Sequence, residues 1–387
     1  MRKVLVNSRE GLRVEEWQHQ GQDADSGAKW SIRKSTLRGG KQEGVDIVEI
    51  DNGQMRIVVC PTRGMSVLRV ISHDLRLGWD SPVQEIVHPQ YMDLQSRGGL
   101  GWLEGFNEWL VRCGLESAGG VGEDTFINNV GGEAKMQLTL HGKIGNIPAS
   151  VVEVIVEEEP FTRIRLRGRV DERMFFGPQL ELWTEISVTP NLREFRMEDQ
   201  VTNRSDQPQE FQLIYHVNFG RPILEQDAQF VAPLRRVAPM NARAAEDVKS
   251  FARYKAPTPG YVEQVYCLHP LADSSQRTLV MLRNSAGDRA VSMAYSLEQL
   301  PYLTLWKNTA SEAAGYVTGI EPGTGFPNHR KFEREHGRVP KLAGGETRRF
   351  AFDVGLHATS EQVSKVAERI AAIQGKHAMQ IVEQPDP

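Results

Sequence analysis

The sequence predicts an all-β fold, built mainly from antiparallel strands, with few helices. Apolar and polar residues alternate over 163–170, 180–188 and 195–201, the pattern of strands with one side in a core and the other toward solvent. Turn-forming segments such as Thr189-Pro190-Asn191 separate these runs, as expected for an antiparallel meander. The chain has neither regular βαβ alternation nor a Gly-rich phosphate loop, which argues against the doubly wound nucleotide-binding folds.

Further strands are predicted on both sides of this meander. In chain order they span residues 54–60, 65–71, 135–140, 211–219, 278–283, 316–321 and 348–355. Residues 82–120 combine glycine, aromatic and charged residues and predict a long excursion with some helical turns. No fixed repeat or low-complexity linker interrupts the chain, so we expect one domain over residues 1–387, with its core at about 45–356.

The clearest helix is predicted at residues 360–374. Thr359 and Gln362 fit a capping box, an apolar stripe runs from Val363 to Ile373, and Gly375 supplies a stop. We expect this helix on the outside of a β-sandwich or at a subunit contact. Residues 385–387 and those just before them are expected to form a loose tail.

Composition restricts the class of partner. The 387 residues carry a formal net charge of −4, with 40% hydrophobic and 25% charged residues, which is ordinary for a soluble globular protein. Basic residues are scattered, so neither nucleic acid nor a membrane is expected as a partner. The first ten residues lack the apolar region of a secretory signal, and no stretch has the length of a membrane span. We therefore expect a cytoplasmic protein.

Cysteine usage gives no sign of a metal or a disulfide framework. Cys60, Cys113 and Cys267 lie far apart and form no CxxC or Cys/His cluster. Such a sparse, odd set fits a reducing compartment and small buried side chains. With no nucleotide-binding loop either, we expect a protein that uses neither metal nor organic cofactor.

The strand at 211–219, with the sequence FQLIYHVNF, is the most informative segment. Leu213, Tyr215 and Val217 share one phase, which is typical of a core, and the other phase places His216 and Asn218 side by side on an open face. A histidine there can titrate near neutral pH and act as a general acid, while Asn218 can hydrogen-bond a hydroxyl. Alone, a histidine on a strand is more often structural.

Three further segments carry candidate site residues. His141 ends a predicted strand in a Gly- and Pro-containing turn, either to deliver its imidazole to the rim of a sheet or as an incidental hairpin residue. Glu321 ends another strand just before a Pro-Gly turn, a position suited to a general base or to a loop-capping carboxylate. Arg63, in a tight turn, either binds ligand oxygens through its planar guanidinium or ties the turn to a carboxylate.

Taken together, these residues resemble the galactose mutarotase-like superfamily, the aldose 1-epimerases, and more closely a bacterial branch of it. The resemblance is carried by PTRGM (61–65), RCGL (112–115), HGKIGNIPA (141–149), IYHVNFG (214–220), EQVY (263–266) and GIEPGT (319–324). Each motif is short, but their order and spacing cover about 45–356. The resemblance implies a β-supersandwich that binds a sugar across its concave face.

The resemblance also implies roles for these residues. Glu321 matches the family's glutamate, which takes the proton from the anomeric hydroxyl, and His216 matches the histidine that protonates the ring oxygen. The ring then opens, the C1–C2 bond rotates, and the reverse transfers close the other anomer. His141 matches the histidine that holds sugar hydroxyls, and Arg63 loosely resembles an early arginine of the family.

Two positions depart from the family's pattern. Tyr215 stands where the family usually has an asparagine before its catalytic histidine. The family's sugar-binding aspartate has no clear match, because Asp227 and Asp247 lie in the right stretch but outside any matching motif. Glu263 of EQVY is the candidate to take its place, and the identity of the sugar is left open.

Three alternatives to a free-sugar mutarotase are also considered. The same scaffold can hold a sugar without turning it over, although pure binding does not need both His216 and Glu321. An enzyme acting on sugar phosphates needs a basic rim, for which Arg63, Arg112 and Arg221 are candidates. A polysaccharide lyase or hydrolase needs paired carboxylates, and the sequence offers one strong candidate.

The expected partner is a small-molecule sugar. Trp102, Trp109 and Trp306 are candidates to stack on a pyranose face, although tryptophans in all-β proteins more often pack in the core or at its rim. A homodimer is expected only from the frequency of such assemblies.

Overall fold

Two large β-sheets pack face to face in the computed structural model, which describes residues 1–73 and 75–386. One sheet has ten strands and the other thirteen, and a continuous apolar core lies between them. The predicted all-β sandwich with few helices is confirmed.

The strands of the described residues are, in chain order, β1 (Arg2–Asn7), β2 (Leu12–Arg13), β3 (Trp17–Gln22), β4 (Lys29–Thr36), β5 (Asp46–Asp51), β6 (Arg56–Cys60), β7 (Ser66–Ser72), β8 (Leu75–Leu77), β9 (Leu110–Leu115), β10 (Gly122–Ile127), β11 (Glu133–Leu138), β12 (Val151–Glu157), β13 (Arg163–Arg173), β14 (Gln179–Val188), β15 (Glu194–Asn203), β16 (Gln209–Glu210), β17 (Gln212–Phe219), β18 (Gln229–Val231), β19 (Leu234–Pro239), β20 (Gln264–Pro270), β21 (Arg277–Arg283), β22 (Ala290–Ser296), β23 (Tyr302–Asn308), β24 (Val317–Gly323), β25 (Lys341–Leu342), β26 (Thr347–His357) and β27 (Gln380–Ile381).

Each of the two large sheets has its own strand order, and the predicted meander lies in one of them. The ten-stranded sheet has the order β18-β21-β22-β26-β15-β14-β13-β12-β1-β2 and contains the predicted meander. The thirteen-stranded sheet has the order β27-β19-β20-β23-β24-β17-β9-β7-β6-β5-β4-β3, with β8 paired to β7. Two small sheets, β10-β11 and β16-β25, complete the set.

Side-chain alternation places β17 as the sequence predicts. Leu213, Tyr215 and Val217 belong to the core between the sheets. Ile214 belongs instead to a second apolar cluster on the opposite face of the thirteen-stranded sheet. We call this opposite face the site face, because it carries His216 and its neighbours.

Four helices are present in the described residues: α1 (Ser96–Gly99), α2 (Ala242–Ala245), α3 (Arg330–Glu335) and α4 (Ser360–Gln374). Helix α4 has the predicted bounds, and the Thr359 side chain accepts a hydrogen bond of 3.3 Å from the Gln362 backbone N–H. Its apolar stripe packs on the outside of the ten-stranded sheet, where Val363, Val366 and Ile370 meet Leu279, Met281 and Ala290.

The predicted excursion at 82–120 is partly a strand. Short 3-10 turns at Pro89–Tyr91 and Gly101–Glu104 flank α1 and agree with the expected helical turns. Residues Leu110–Leu115, however, form β9, a fully buried strand of the thirteen-stranded sheet. The prediction was wrong there because a strand covered on both faces shows no apolar–polar alternation.

The C-terminal residues are held more closely than expected. Gln380–Ile381 pairs in parallel with β19, and the backbone N–H of Asp386 donates to the carbonyl of Pro239 at 3.2 Å. These contacts correct the expectation of a loose tail, of which Pro387 lies outside the described residues. Over 1–73 and 75–386, no helix combines the length and apolar character needed to cross a membrane.

Candidate active site

The centre of the candidate site is a histidine–glutamate pair on two adjacent strands. Strands β17 and β24 pair with Ile214 opposite Gly323 and Val217 opposite Ile320, a register that places His216 across from Glu321. Nε2 of His216 lies 3.3 Å from Oε1 of Glu321. The structure therefore brings together the two residues for which the sequence predicts acid and base roles.

Burial controls the protonation of this pair. His216 and Glu321 expose only 4% and 2% of their surface. Burial raises the pKa of Glu321 well above its usual range, and the nearby Glu263 carboxylate raises it further. Burial also lowers the pKa of His216 well below its usual range, assisted by His141, while the hydrogen bond to Asn218 acts in the opposite direction. The uncharged forms of both side chains are thus favoured.

Glu321 has an unusual lack of hydrogen-bond donors. Among the described residues, none donates a hydrogen bond to its Oε1, although that oxygen is buried. Buried polar oxygens are normally paired, so the unpaired oxygen next to His216 is a candidate position for a polar ligand. The nearby indole Nε1 of Trp102 is likewise buried and without a partner in the described part of the chain.

His141 lies beside the pair, as the sequence predicts for a site histidine. It follows β11 in a left-handed backbone conformation, with φ of 58°, and its ring centroid is 5.3 Å from that of His216. Its Nδ1 donates to the carbonyl of Ala118 at 3.0 Å, because a carbonyl can only accept. Burial lowers the pKa of His141 to about 4, so its Nε2 is a hydrogen-bond acceptor at neutral pH.

Three aromatic rings, which we call the aromatic cover, surround the pair. Phe106 and Trp306 have ring centroids 5.2 and 5.4 Å from that of His216. Trp102 is 4.6 Å from His141 and 5.8 Å from His216. Trp102 and Phe106 come from the excursion and Trp306 from β23, so two distant parts of the chain exclude water from the pair.

Trp109, the third tryptophan considered, faces the other way. It is fully buried in the core between the sheets, 5.8 Å from the ring of Phe195 and 6.1 Å from that of Phe219. Only Trp102 and Trp306 of the three candidates therefore line the site.

Glu263 lies at the outer edge of the site. Its exposed carboxylate accepts a hydrogen bond of 2.8 Å from Nε1 of Trp306. This contact fixes the orientation of the Trp306 ring relative to the pair. A role for Glu263 in holding a sugar stays a prediction.

Arg63 is close to the site, and both of its terminal nitrogens contact the protein, while its buried Nε has no hydrogen-bond partner among the described residues. Its Nη2 forms an ion pair of 2.6 Å with Glu108, and its Nη1 donates to the carbonyls of Val87 and Gly105, both at 3.2 Å. Both charged side chains are buried. The arrangement matches the second of the two interpretations of this arginine, in which it ties a turn to a carboxylate, and its contact with a sugar stays a prediction.

The other two arginines considered for a basic rim also have carboxylate partners. Arg112 is buried in the core, with its Nε 2.5 Å from Asp199. Arg221 pairs with Glu312 at 2.6 Å on the surface. With Arg63 paired to Glu108, none of the three presents an unpaired positive charge that would suit a phosphate.

Asn218 lies behind His216 rather than in front of it. Its side chain is fully buried, and its Oδ1 is 2.7 Å from Nδ1 of His216. Its Nδ2 donates to the carbonyl of Glu108 at 3.0 Å and to that of His216 at 3.3 Å. The amide thus has its polar atoms committed to the protein, and its contact with a sugar hydroxyl stays a prediction.

Sequence reasoning missed three parts of the site: Gly319, Glu108 and Phe106. A Cβ at Gly319 would approach Oε1 of Glu321 to 2.5 Å, so this glycine provides the space for the carboxylate. Its position two residues before Glu321, on the same face of a strand, was the available signal. Glu108 and Phe106 belong to the excursion, which offers no periodicity from which to infer their direction.

No metal site accompanies these residues. Within residues 1–73 and 75–386 no group of three or more His, Cys, Asp or Glu side chains is arranged to hold a metal ion.

Comparison with known proteins agrees with the fold and identifies a family. Residues 42–356 match the model of a domain of unknown function, DUF4432. A provisionally assigned aldose 1-epimerase from Klebsiella pneumoniae is 41% identical, with 100% of this chain and 99% of that chain aligned at a TM-score of 0.93. A search among curated proteins found no significant match.

More distant structures share the fold. A galactose mutarotase-like protein from Clostridium acetobutylicum is 14% identical, covering 85% of this chain and 98% of its own, with a TM-score of 0.57. A provisionally assigned aldose 1-epimerase from Escherichia coli K12 is 14% identical, covering 81% of this chain and 100% of its own, with a TM-score of 0.51. The chain therefore belongs to the DUF4432 family and has the galactose mutarotase-like fold.

Proposed function

We propose that this protein is an aldose 1-epimerase, which interconverts the α and β anomers of a free sugar. The observation that carries the proposal is the approach of His216 Nε2 to Glu321 Oε1, at 3.3 Å, in a buried site. Mutarotation requires a proton to leave the anomeric hydroxyl and another to reach the ring oxygen, so one acid and one base must face the same ring carbon.

Glu321 and Nε2 of His216 share one mobile proton in the active form. In the buried site without a sugar, that proton belongs to Glu321, since burial opposes a charge on either side chain. Sugar hydroxyls that enter the site add polar partners and stabilise the charged distribution, with a Glu321 carboxylate and a His216 imidazolium. Glu321 then takes the proton of the anomeric hydroxyl and His216 protonates the ring oxygen as the C1–O5 bond breaks. Rotation about C1–C2 and the reverse transfers give the other anomer.

A neutral sugar is favoured over a sugar phosphate. The three arginines that could form a basic rim are each paired with a carboxylate. The exposed Glu263 carboxylate contacts Trp306 of the aromatic cover and repels an anion. The expected substrates are therefore uncharged aldoses, with the aromatic cover packing against their apolar faces.

The test is NMR magnetisation exchange between the α and β anomers across a panel of aldoses. We expect the wild-type protein to accelerate exchange for at least one sugar, and Glu321→Gln to lower the rate by about 10²- to 10⁴-fold, because an amide cannot accept the anomeric proton. Calorimetry should show that the variant still binds that sugar. Glu368→Gln, at an exposed position on α4 remote from the site, is the matched control and should keep the wild-type rate.

Each outcome separates the proposal from its alternatives. Wild-type rates in Glu321→Gln would remove this carboxylate as the base. Sugar binding without faster exchange would indicate a sensor on the same scaffold. Exchange that is faster for a sugar phosphate than for its free sugar would overturn the preference for neutral substrates.

A further inference from the structure

We propose that Asn218 is a positioning residue that holds His216 in the tautomer with Nδ1 protonated and Nε2 free to face Glu321. This inference deepens the proposed function and rests on it for its catalytic consequence. The tautomer itself follows from hydrogen-bonding geometry alone.

The orientation of the Asn218 amide is determined by its neighbours. The carbonyl oxygens of Glu108 and His216 lie 3.0 and 3.3 Å from one end of the amide, and both can only accept hydrogen bonds. That end must therefore be the NH₂ group. The other end, 2.7 Å from Nδ1 of His216, must then be the carbonyl oxygen.

The tautomer of His216 follows from this orientation. Because the Asn218 oxygen can only accept, Nδ1 of His216 must carry the proton and donate it. In the neutral ring Nε2 then has a lone pair, and it is this atom that lies 3.3 Å from Oε1 of Glu321. A ring with the opposite tautomer would direct an N–H at Glu321 and could not accept a proton from it.

Asn218 is held in place by a network of buried hydrogen bonds. Its backbone N–H donates to the carbonyl of Trp109 at 2.6 Å, and the Glu108 carbonyl that it binds also accepts from Nε1 of Trp79 at 3.1 Å. The Glu108 carboxylate is held by Arg63 at 2.6 Å. Arg63 is thus linked to His216 through Glu108 and Asn218.

The titratable groups around the His216 ring are few. Glu321 faces it from β24, His141 from the turn after β11, and Cys113 lies on the neighbouring strand β9. Glu263 acts on Glu321 from the outer edge of the site. On the Nδ1 side Asn218 is the hydrogen-bond partner, and the charged groups behind it are those of the Arg63–Glu108 ion pair. Replacing Asn218 therefore addresses the tautomer directly.

The test combines a spectroscopic and a kinetic measurement. Nitrogen-15 NMR of histidine-labelled protein reports which ring nitrogen is protonated, and the signals of His216 are assigned by their loss in His216→Gln. We expect Nδ1–H in the wild type. Asn218→Leu removes the acceptor, so an Nε2–H population should appear and kcat should fall about 10- to 100-fold with a smaller change in KM.

Asn218→Asp keeps the oxygen that accepts from Nδ1 and loses the NH₂ group that donates to the carbonyls of Glu108 and His216. It should retain the Nδ1–H tautomer, while its negative charge raises the pH at which His216 becomes an imidazolium and shifts the acid limb of the kcat profile upward. Asn203→Asp is the matched control, because Asn203 is an equally buried asparagine whose amide donates to the carbonyls of Gln207, Leu342 and Ala343. It should change neither the His216 signals nor the pH profile.

The tautomer in the wild type decides the inference even if Asn218→Leu does not fold. An Nε2–H tautomer of His216 in the wild type would overturn it. If the wild type accelerates anomer exchange for no sugar, the proposed function fails, yet the nitrogen-15 signals still test the role of Asn218.

Discussion

A Gly319→Ala substitution would add one methyl group at the point where three side chains of the site meet. The added Cβ would lie 2.5 Å from Oε1 of Glu321, and 3.2 Å from both Cε1 of His216 and Cε3 of Trp306. Gly319 lies within β24 and not in the left-handed region, so its backbone accepts alanine. The perturbation therefore acts on the position of the Glu321 carboxylate and not on the backbone.

The expected loss of activity is large compared with the loss of stability. To restore an ordinary contact of 3.4 Å, the Glu321 oxygen must withdraw by about 0.9 Å. A displacement of about 1 Å at a reacting group can cost about 10²-fold in rate, equivalent to about 2.7 kcal/mol in activation free energy. The free energy of unfolding should fall by only about 1 kcal/mol, the low end for overpacking, because the contacted atom is at the end of a side chain.

The assay compares anomer exchange by NMR with urea unfolding of the same preparations. Gly132→Ala is the matched control, since a Cβ there would meet only the Asn128 amide, at 3.6 and 3.7 Å. We expect wild-type exchange and stability in this control. A Gly319→Ala protein that is folded and exchanges anomers at the wild-type rate would refute the placement of Glu321 as the base.

Two further predictions concern buried charges. Arg112→Met should lower the free energy of unfolding by about 3 to 5 kcal/mol, because it leaves Asp199 buried without its cation. Adding Asp199→Leu should recover part of that loss. Equal losses in urea unfolding of the single and double variants would contradict this prediction. Burial raises the pKa of Glu172 from 4.5 to about 7. Its protonated form thus stabilises the fold below about pH 4.5, and this contribution is lost as the pH rises to about 7. Glu172→Gln should remove this loss of stability. If chemical denaturation shows the same pH dependence of the free energy of unfolding for the variant and the wild type, the prediction is wrong.

The strands were predictable where one face of each is apolar and the other polar. Strands β13 and β15 alternate between buried and more exposed positions, and β17 keeps its two phases on different faces of a sheet. Because alternation with period two is a local property, it also identified His216 as a residue directed away from the core. Glu321 was found by its place at the end of a strand.

The residues that surround the His216–Glu321 pair could not be predicted from alternation. Strand β9 is covered on both faces, so its sequence LVRCGL has no alternation to detect. The partner of Arg63 is Glu108, which is 45 residues further along the chain and belongs to no motif with it. The alternation of β17 correctly placed the Asn218 side chain on the site face. Only the positions of the Glu108 and His216 carbonyls show that its amide is turned toward the protein.

The departure of Tyr215 from the family's usual asparagine concerns the core and not the site. Adjacent residues of a strand point to opposite faces, so the residue before His216 must face the ten-stranded sheet. There the Tyr215 hydroxyl donates to Asp199 at 2.8 Å, and Asp199 also receives the guanidinium of Arg112. Strand β17 thus carries a sheet-to-sheet polar anchor at 215 and the proposed acid at 216. Tyr215 therefore contributes a contact between the two sheets, while the proposed acid lies on the opposite face of the same strand.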